Sequence, residues 1–327
     1  METMVYGKLP PSKKRLWQAL LRKAELEPDE NVQRTVLIFD GETLAAAGSR
    51  QDNLLKCIAV DDAYQGQGLT GTLLTQLRQD AFAEGLHHLF LYTKPKNELQ
   101  FSSLFFYPVA QTGQVLLMES KQNGIGVFLD SLGASAESGS NGAVVMNCNP
   151  FTKGHRYLIE TAAKQCDRLF VFVLSEDKSY FSAKDRMEMV KLGTEDIPNV
   201  TVLPTGPYLI SSATFPTYFL KEREKATQVQ CLLDIEIFCR YFVPRFSIAK
   251  RFVGTEPLSP MTNQYNDALK AHLPGRGIRL EEVPRLEAQG EPVSASRVRQ
   301  NLDDPGALSA LLPETTLQYL TQHNLLK

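Results

Sequence analysis

The segment that decides the fold covers residues 142–165 and reads GAVVMNCNPFTKGHRYLIETAAKQ. An apolar run ends at Met146, a polar turn covers residues 147–155, and a second apolar pattern begins after His155. The apolar residues of this second pattern share one face of a helix; they are Leu158, Ile159, Ala162, Ala163 and Cys166. The segment therefore predicts a strand, a turn and a helix, with His155 at or just before the first helical turn.

The predicted turn has the chemistry of a phosphate site. A helix begins with N–H groups that have no intrahelical partner and with a partial positive charge, and both favour a phosphate. His155 can donate to phosphate oxygens, Lys153 adds charge, and Gly154 lets the backbone approach closely. The alternative is an ordinary Asn-Pro loop in which His155 is an ordinary first-turn residue.

Length and composition are those of a globular protein with two domains. The chain has 327 residues, of which 43% are apolar and 22% are charged. A net charge of -2 and a pI near 6.3 argue against a dedicated nucleic-acid binder. Residues 1–20 contain no continuous apolar segment, and no apolar run reaches the roughly eighteen residues of a membrane span. We therefore expect a cytoplasmic protein with no membrane span.

The five cysteines are widely spaced, and no two of them form a Cys-x-x-Cys pair. This pattern indicates reduced residues of the core. Cys148 lies beside the central turn and is expected to be a small buried side chain at a strand end. A nucleophilic role for Cys148 is the alternative.

The first half contains a second candidate phosphate site. Three consecutive strands are predicted, at 32–39, 43–48 and 54–60. A glycine-rich loop, YQGQGLTG at 64–71, then precedes a helical pattern. Because glycines between a strand and a helix leave backbone N–H groups free, Gln65, Gly66, Gly68 and Gly71 are predicted to bind a pyrophosphate. A glycine-rich turn without a ligand is the alternative.

This loop resembles the acyl-CoA loop of the GNAT N-acetyltransferases, whose pattern is Gln or Arg, two residues, Gly, one residue, and Gly or Ala. Gln65 and Gly68 match the pattern, whereas Thr70 departs from it at the last position. The resemblance covers about residues 32–119 and implies a GNAT-like α+β domain that binds a CoA-like ligand. It leaves open whether the domain catalyses acetyl transfer or only docks the ligand.

Residues 132–141 have the small, polar and glycine-rich composition of a linker. No internal repeat or low-complexity tract occurs elsewhere. We therefore predict a first domain at 1–131, a linker at 132–141 and a second domain at 142–327.

The second half predicts an α/β domain with a doubly wound, Rossmann-like parallel sheet. Apolar strands at 168–174, 200–203 and 248–253 alternate with helical patterns, which implies right-handed crossovers. Ligands of such sheets bind outside the carboxyl ends of the strands. Gly254 and Glu256 follow the strand at 248–253, so they are predicted to face the same crevice as Thr152 and His155.

A second helix start carries hydroxyl groups and an arginine. Ser294 and Ser296 open a helical pattern that continues to Arg299, and these groups at a helix start suit a triphosphate. Earlier in this half, Arg186 is expected either to reach the site or to lie on a solvated helix face. Asp234, within a helix predicted over 217–241, is expected at an exposed edge, with a semi-buried position as the alternative.

The turn and the later segment together resemble the two signatures of the nucleotidylyltransferase superfamily. The first signature has His or Thr, one residue, Gly and His, and the second reads Ile-Ser-Ser-Thr-x-x-Arg. The matching residues are Thr152, Gly154, His155, Ser294, Ser296 and Arg299. Val293 stands in place of Ile, and Ala295 stands in place of the second Ser.

Five stretches of the second half resemble the citrate lyase ligase family. They are VMNCNPFTKGHRYLIE at 145–160, ISSATFPTYF at 210–219, RFVGTEP at 251–257, TNQYN at 262–266 and VSASRVR at 293–299. The resemblance runs from about residue 142 to the C-terminus, and this family also has a GNAT-like first half. It implies an ATP-dependent, AMP-forming acetylation of the thiol on the acyl carrier subunit of citrate lyase.

The resemblance further implies that acetate and ATP form acetyl-AMP, and that a CoA-like thiol prosthetic group then takes the acetyl group. The catalytic candidates are His155, Thr152 and Arg299. The nucleotide-binding candidates are Asn149, Phe151, Gly154, Gly254, Glu256, Ser294 and Ser296. Mg²⁺ is expected between the phosphates and not on protein ligands, because the sequence shows no carboxylate cluster able to bind it unaided.

Two other functions stay open. An adenylyltransferase would join AMP to a phosphate-bearing acceptor, such as a pantetheine phosphate or nicotinamide mononucleotide, and release a dinucleotide. A nucleotide-sensing or scaffold protein would bind ATP and CoA-like ligands without turnover.

Overall fold

The computed structural model describes residues 1–134, 139–176, 179–209, 215–220, 226–256, 260–288 and 290–326. The chain divides into two compact units: the first is Met1–Ile125 with Pro216–Val229, and the second is Gly126–Phe215 with Gln230–Lys327. The predicted linker includes residues 135–138 and the stretch quoted at 210–219 includes residues 210–214, and both sets lie outside the described residues. The domain boundaries placed around 132–141 stay a prediction.

The first unit is built on a seven-stranded sheet with the order β1-β2-β3-β4-β5-β7-β6. Its strands are β1 (Glu2–Tyr6), β2 (Arg34–Asp40), β3 (Thr43–Gln51), β4 (Leu54–Val60), β5 (Phe90–Thr93), β6 (Tyr107–Gln111) and β7 (Leu116–Glu119). Its helices are α1 (Pro11–Lys23), α2 (Leu69–Ala83) and α3 (Glu98–Ser102). Neighbouring strands are antiparallel except β4 and β5, which are parallel.

The three strands predicted at 32–39, 43–48 and 54–60 are confirmed as β2, β3 and β4, and they pair in an antiparallel arrangement. The apolar face of α2 packs on this sheet through Leu73, Leu74 and Leu77, which are buried with side chains of the strands. β4 and β5 pair only through Leu54–Leu55 and Phe90–Leu91. The two strands therefore separate beyond these residues, and their separation makes room for a cavity.

The second unit is built on a five-stranded parallel sheet with the order β10-β9-β8-β11-β12. Its strands are β8 (Asn141–Met146), β9 (Leu169–Val173), β10 (Val200–Pro204), β11 (Ile248–Gly254) and β12 (Arg279–Val283), with a small ribbon of β13 (Glu287–Ala288) and β14 (Glu291–Pro292). Its helices are α4 (Gly124–Ser131), α5 (Lys153–Ala163), α6 (Ala183–Leu192), α7 (Ala226–Ile237), α8 (Val243–Phe246), α9 (Pro260–His272), α10 (Ala295–Gln300), α11 (Pro305–Leu311) and α12 (Glu314–Gln322). Two of these helices are divided between the units: the part of α4 from Gly126 onwards and the part of α7 from Gln230 onwards belong to the second unit.

This strand order confirms the predicted doubly wound sheet. β8 lies in the middle, with β9 on one side and β11 on the other. The chain therefore reverses its direction of progress across the sheet between β8 and β11, and such a switch point opens a crevice at the carboxyl ends of the strands. The apolar faces of α5, α6 and α12 bury the core beneath this crevice.

One prediction about an element is wrong. Residues 215–220, which include the start of the helix predicted over 217–241, are not helical, and Tyr218 and Phe219 are buried in the first unit; the described helix is α7, Ala226–Ile237. A π-helical turn, Phe238–Phe242, follows α7.

Among the helices of the described ranges, none has the length and apolarity needed to cross a membrane.

Candidate functional site

The predicted turn ends at the N-terminus of α5, where Thr152 is the N-cap residue. The Thr152 hydroxyl accepts from the His155 N–H at 3.3 Å, and the Thr152 N–H donates to His155 Nδ1 at 3.0 Å. This reciprocal pair is a capping box in which a histidine takes the place of the usual glutamate or glutamine. Thr152 and His155 therefore hold each other at the start of the helix.

The capping box determines the tautomer of His155. A backbone N–H can only donate, so Nδ1 is the acceptor and the neutral ring carries its proton on Nε2. Burial, helped by the charge of Arg285, lowers the pKa of His155 to about 4. At neutral pH the ring is therefore an uncharged side chain with an Nε2–H donor.

Phe151 and Asn149, both predicted to bind the nucleotide, support the turn from within. The Phe151 side chain is fully buried, and its ring stacks on His155 with centroids 6.0 Å apart. Asn149 Oδ1 accepts from the Phe181 N–H at 3.0 Å. Neither Phe151 nor Asn149 lines the cavity that adjoins the turn.

Two further candidates beside the turn are buried. Arg186 is neither solvated nor in contact with the cavity; its guanidinium donates to backbone carbonyls near the ends of β8 and β9. These carbonyls belong to Asn147, Leu174, Glu176 and Phe181. Cys148 is buried as predicted, and burial raises the pKa of its thiol, which disfavours a nucleophilic thiolate.

The later signature segment forms the start of α10. Ser294 is the N-cap residue, and its hydroxyl accepts from the Arg297 N–H at 3.3 Å. Arg299 Nη2 donates to Ser296 Oγ at 3.1 Å. The hydroxyls of Ser294 and Ser296 and the guanidinium of Arg299 are therefore held in place at the start of this short helix.

The two signature segments contact each other directly. Arg299 Nη1 donates to the Asn149 carbonyl at 2.5 Å and so joins α10 to the turn before α5. A Cβ on Gly154 would lie 3.1 Å from the Val293 carbonyl oxygen. Gly154 therefore permits a close backbone approach that a larger residue would hinder.

A cavity of about 620 Å³ lies where these helix starts meet the carboxyl ends of β8, β11 and β12. Its volume is in the range of small-molecule sites. The predicted site residues that line it are Thr152, Gly154, His155, Gly254, Glu256, Ser294 and Ser296. The fold therefore brings the residues named from three distant segments to one cavity, while Asn149, Phe151 and Arg299 support its wall.

Arg285, which was not predicted from the sequence, follows β12 and also lines the cavity. Its Nε donates to the Thr255 carbonyl at 2.8 Å, and its guanidinium forms an ion pair with Glu256. The usable signal is an arginine just after a parallel strand. That signal is weak here because β12 reads RLEEV, whose three charged residues do not resemble a buried strand.

Arg251 and Tyr265 also line the cavity and were also missed. Arg251 is only 2% exposed, and its guanidinium packs over the ring of Phe238, 4.4 Å from the centroid. The Tyr265 hydroxyl donates to Asp234. Asp234 is buried, so its predicted exposed position is wrong, and burial raises its pKa to about 6.

The first unit has a cavity of its own, of about 700 Å³. The predicted residues Gln65, Gly66, Gly68 and Gly71 line it together with the separating ends of β4 and β5. Gly66 and Gly68 have φ angles of +76° and +77°, a left-handed conformation that glycine adopts without steric cost. Gly68 begins α2 with no side-chain cap, so the first N–H groups of α2 are not occupied by a capping side chain.

Two residues from far along the chain complete this cavity. Tyr218 and Phe219 line it and belong to the first unit through the segment Pro216–Val229. The Tyr218 hydroxyl donates to the Tyr92 carbonyl at 2.8 Å, beyond the last pair of β4 and β5. Tyr218 thereby satisfies a strand carbonyl at the point where the two strands have separated.

Comparison with known families matches both units. Residues 141–320 match the citrate lyase ligase C-terminal domain, and residues 4–100 match the acetyltransferase (GNAT) family. The chain therefore combines an N-terminal GNAT fold with a C-terminal nucleotidylyltransferase-like α/β domain.

Individual relatives extend over nearly the whole chain. The citrate (pro-3S)-lyase ligase of Klebsiella pneumoniae is 41% identical over 310 residues, which cover 92% of this chain and 91% of that protein. The citrate (pro-3S)-lyase ligase of Escherichia coli K12 is 40% identical over 309 residues, which cover 92% and 88%. The phosphopantetheine adenylyltransferase of Clostridium botulinum strain 657 is 33% identical over 117 residues, which cover 35% and 67%.

Proposed function

The chain belongs to the citrate lyase ligase family, and we propose that it uses ATP to acetylate the thiol prosthetic group on the acyl carrier subunit of citrate lyase. As a member of this family it is an enzyme, a ligase that acts on citrate lyase. The route through acetyl-AMP and the roles of the site residues are our proposal. Because the reaction consumes ATP, we place it in the cytoplasm.

The observation that supports this proposal best is the wall that the two signature segments build together. Arg299 joins them through the Asn149 carbonyl, and His155 lines the same cavity as Ser294 and Ser296. A helix start, hydroxyl groups and an imidazole N–H are donors that suit phosphate oxygens, whose charge changes during transfer at phosphorus.

In the proposed first step, an acetate oxygen attacks the α-phosphorus of ATP. A bond forms between that oxygen and the phosphorus, the bond from the phosphorus to the oxygen that bridges the β-phosphate breaks, and pyrophosphate leaves with the electron pair. Positioning and electrostatic stabilisation suffice, with no covalent enzyme intermediate. His155 and Thr152 would stabilise charge on the transferred group, while Ser294, Ser296 and Arg299 would hold the β- and γ-phosphates.

In the proposed second step, the thiol sulfur attacks the acetyl carbonyl carbon of acetyl-AMP. The thioester forms, AMP leaves with the electrons of the broken bond, and the thiol proton passes to solvent. The loop from Gln65 to Gly71 would receive the pyrophosphate of the CoA-like arm that carries this thiol, because its glycines and the start of α2 offer backbone N–H groups.

We also propose that Mg²⁺ enters the site bound to the phosphates of ATP. Within the described ranges, no three His, Cys, Asp or Glu side chains are placed to hold a metal ion together. Glu256, which lines the cavity, is already paired with Arg285. The side chains therefore suit a metal–phosphate complex better than a metal site of their own.

Product analysis tests the proposed function. With ATP, acetate and citrate lyase whose carrier thiol is free, we expect AMP and thioester in equal amounts, and no AMP when acetate is omitted. A dinucleotide made from ATP and a pantetheine phosphate would instead identify an adenylyltransferase, the second candidate, which the similarity over 117 residues favours. ATP binding with neither product would indicate a sensing or scaffold protein.

A further inference from the structure

Arg251 is a buried cation, and two of its three donor nitrogens lack partners among the described residues. Its side chain is 2% exposed, and its Nε and Nη1 are buried without a hydrogen-bond partner among the residues that the structure describes. The Phe238 ring packs against the face of the guanidinium and stabilises its charge. The N–H groups lie in the plane of the guanidinium, so the ring does not accept hydrogen bonds from them. Burying a charged group with unmatched donors disfavours folding. We therefore expect an anionic ligand to accept hydrogen bonds from these donors and to balance the charge of Arg251.

The neighbouring carboxylate, Asp234, does not accept hydrogen bonds from these two donors of Arg251. Asp234 accepts the Tyr265 hydroxyl, whereas Nε and Nη1 of Arg251 have no partner within the described part of the chain. The Asp234 charge acts on Arg251 at longer range. An acidic group beside the arginine favours a ligand with a single negative charge over a triphosphate, because repulsion grows with the charge of the ligand.

The position of Arg251 in the sheet separates it from the phosphate donors. Arg251 and His155 line the same cavity. However, Arg251 lies three residues before Gly254, which ends β11, and at about 3.3 Å per residue its Cα is roughly 10 Å below that end. The phosphate donors, in contrast, lie at helix starts beyond the strand ends. Arg251 therefore serves a deeper part of the cavity.

We propose that Arg251 binds the carboxylate of the acid substrate and so selects a carboxylate as the nucleophile that attacks ATP. The identity of the acid as acetate rests on the proposed function. Guanidinium donors on one carboxylate oxygen leave the other oxygen free to attack phosphorus. Arg251 is thus the specificity-determining residue for the acid.

Kinetics of ATP–pyrophosphate exchange test this assignment. In R251M the KM for acetate is expected to rise between about 10-fold and 100-fold, because charge-assisted hydrogen bonds are lost. The KM for ATP should stay within about twofold of wild type, and R251K should give an intermediate KM for acetate. R279Q is the matched control, since Arg279 of β12 has a side chain that is 70% exposed, and it should change neither constant.

Two kinetic results would overturn the proposal: a KM for ATP that rises as much as the KM for acetate, or an unchanged KM for acetate. Because Nε and Nη1 of Arg251 lack partners among the described residues, R251M is expected to unfold at the wild-type temperature or above it. If R251M does not fold, R251K provides the same comparison of the two KM values.

A binding measurement separates this proposal from the proposed function. Sodium acetate should raise the unfolding temperature of the wild type more than sodium chloride at equal ionic strength; R251M should lose this difference, and R251K should keep only part of it. If the wild type shows this stabilisation but no exchange, the proposed function is wrong and the carboxylate site stands. If acetate stabilises the variants as it does the wild type, the carboxylate site is wrong whatever the exchange assay shows.

Discussion

Among single residues, His155 links the local structure of a helix cap to the chemistry of the site. The Thr152 N–H occupies Nδ1, and the Phe151 ring stacks on the imidazole. The ring is therefore held in one orientation and one tautomer, with a donor at Nε2. A glutamate at the same position would cap the helix equally well but would present a negative charge.

A titration of His155 tests this assignment. Because burial and the charge of Arg285 lower its pKa to about 4 from 6.5, the ring should be the neutral Nε2–H tautomer at pH 7. The unfolded chain binds this proton near pH 6.5, so the contribution of His155 to the free energy of unfolding is complete above that pH and is lost as the pH falls towards 4. Nitrogen-15 NMR of the ring measures both properties. A midpoint near 6.5, or an Nδ1–H tautomer, would contradict the assignment.

Among the elements, those with a clear apolar period could be predicted, and those shaped by distant packing could not. The strand at β8, the turn and α5 follow from the pattern around residues 142–165, and α6 follows from its Ser182 cap. β12 has no such pattern because three of its five residues are charged and it lies at the edge of the sheet. Arg251 is buried against the Phe238 ring and near the charge of Asp234, and no local pattern reveals these neighbours.

Replacement of Gly68 by valine tests the role of the start of α2. Valine at a φ of +77° strains the backbone and covers the first N–H groups of the helix. We expect thiol acetylation to fall at least about tenfold while ATP–pyrophosphate exchange is unchanged, because only the arm site is altered.

Gly85 provides the matched control for this replacement. It has the same φ of +77° at the other end of α2 and does not line the cavity. G85V should therefore carry the same strain without the loss of acetylation. Two results would contradict the proposal that the first unit binds the arm while the second unit activates acetate. One is an equal loss of thiol acetylation and of ATP–pyrophosphate exchange in G68V, and the other is a loss of acetylation in G85V as large as that in G68V.

In the whole molecule, the compact units are not two consecutive halves of the sequence. Pro216–Val229 belongs with Met1–Ile125, and its Tyr218 lies in the cavity of the first unit. A linker composition such as that of 132–141 can indicate where the chain leaves a unit. It cannot indicate that a later segment, Pro216–Val229, packs back into the first unit. That packing includes the hydrogen bond from the Tyr218 hydroxyl to the Tyr92 carbonyl, a contact between residues distant in sequence.

Replacement of Tyr218 by phenylalanine tests this return. The change removes the buried hydrogen bond to the Tyr92 carbonyl, and a bond of this kind contributes about 0.5–1.5 kcal/mol to the free energy of unfolding. Urea unfolding should show this loss in Y218F. It should be absent in Y180F, the control, because Tyr180 is 53% exposed. Equal stability of the two variants would show that Tyr218 does not tie the segment to the first unit.

The central claim is that the second unit activates acetate by adenylylation, and acetate-dependent ATP–pyrophosphate exchange measures it most directly. We expect exchange in the wild type only when acetate is present. H155A should lose at least about 100-fold in exchange rate, as expected for a lost transition-state donor, while H272A, which changes an exposed histidine, should retain the wild-type rate. Absence of acetate-dependent exchange in folded wild-type protein, or a wild-type rate in folded H155A, would contradict the claim.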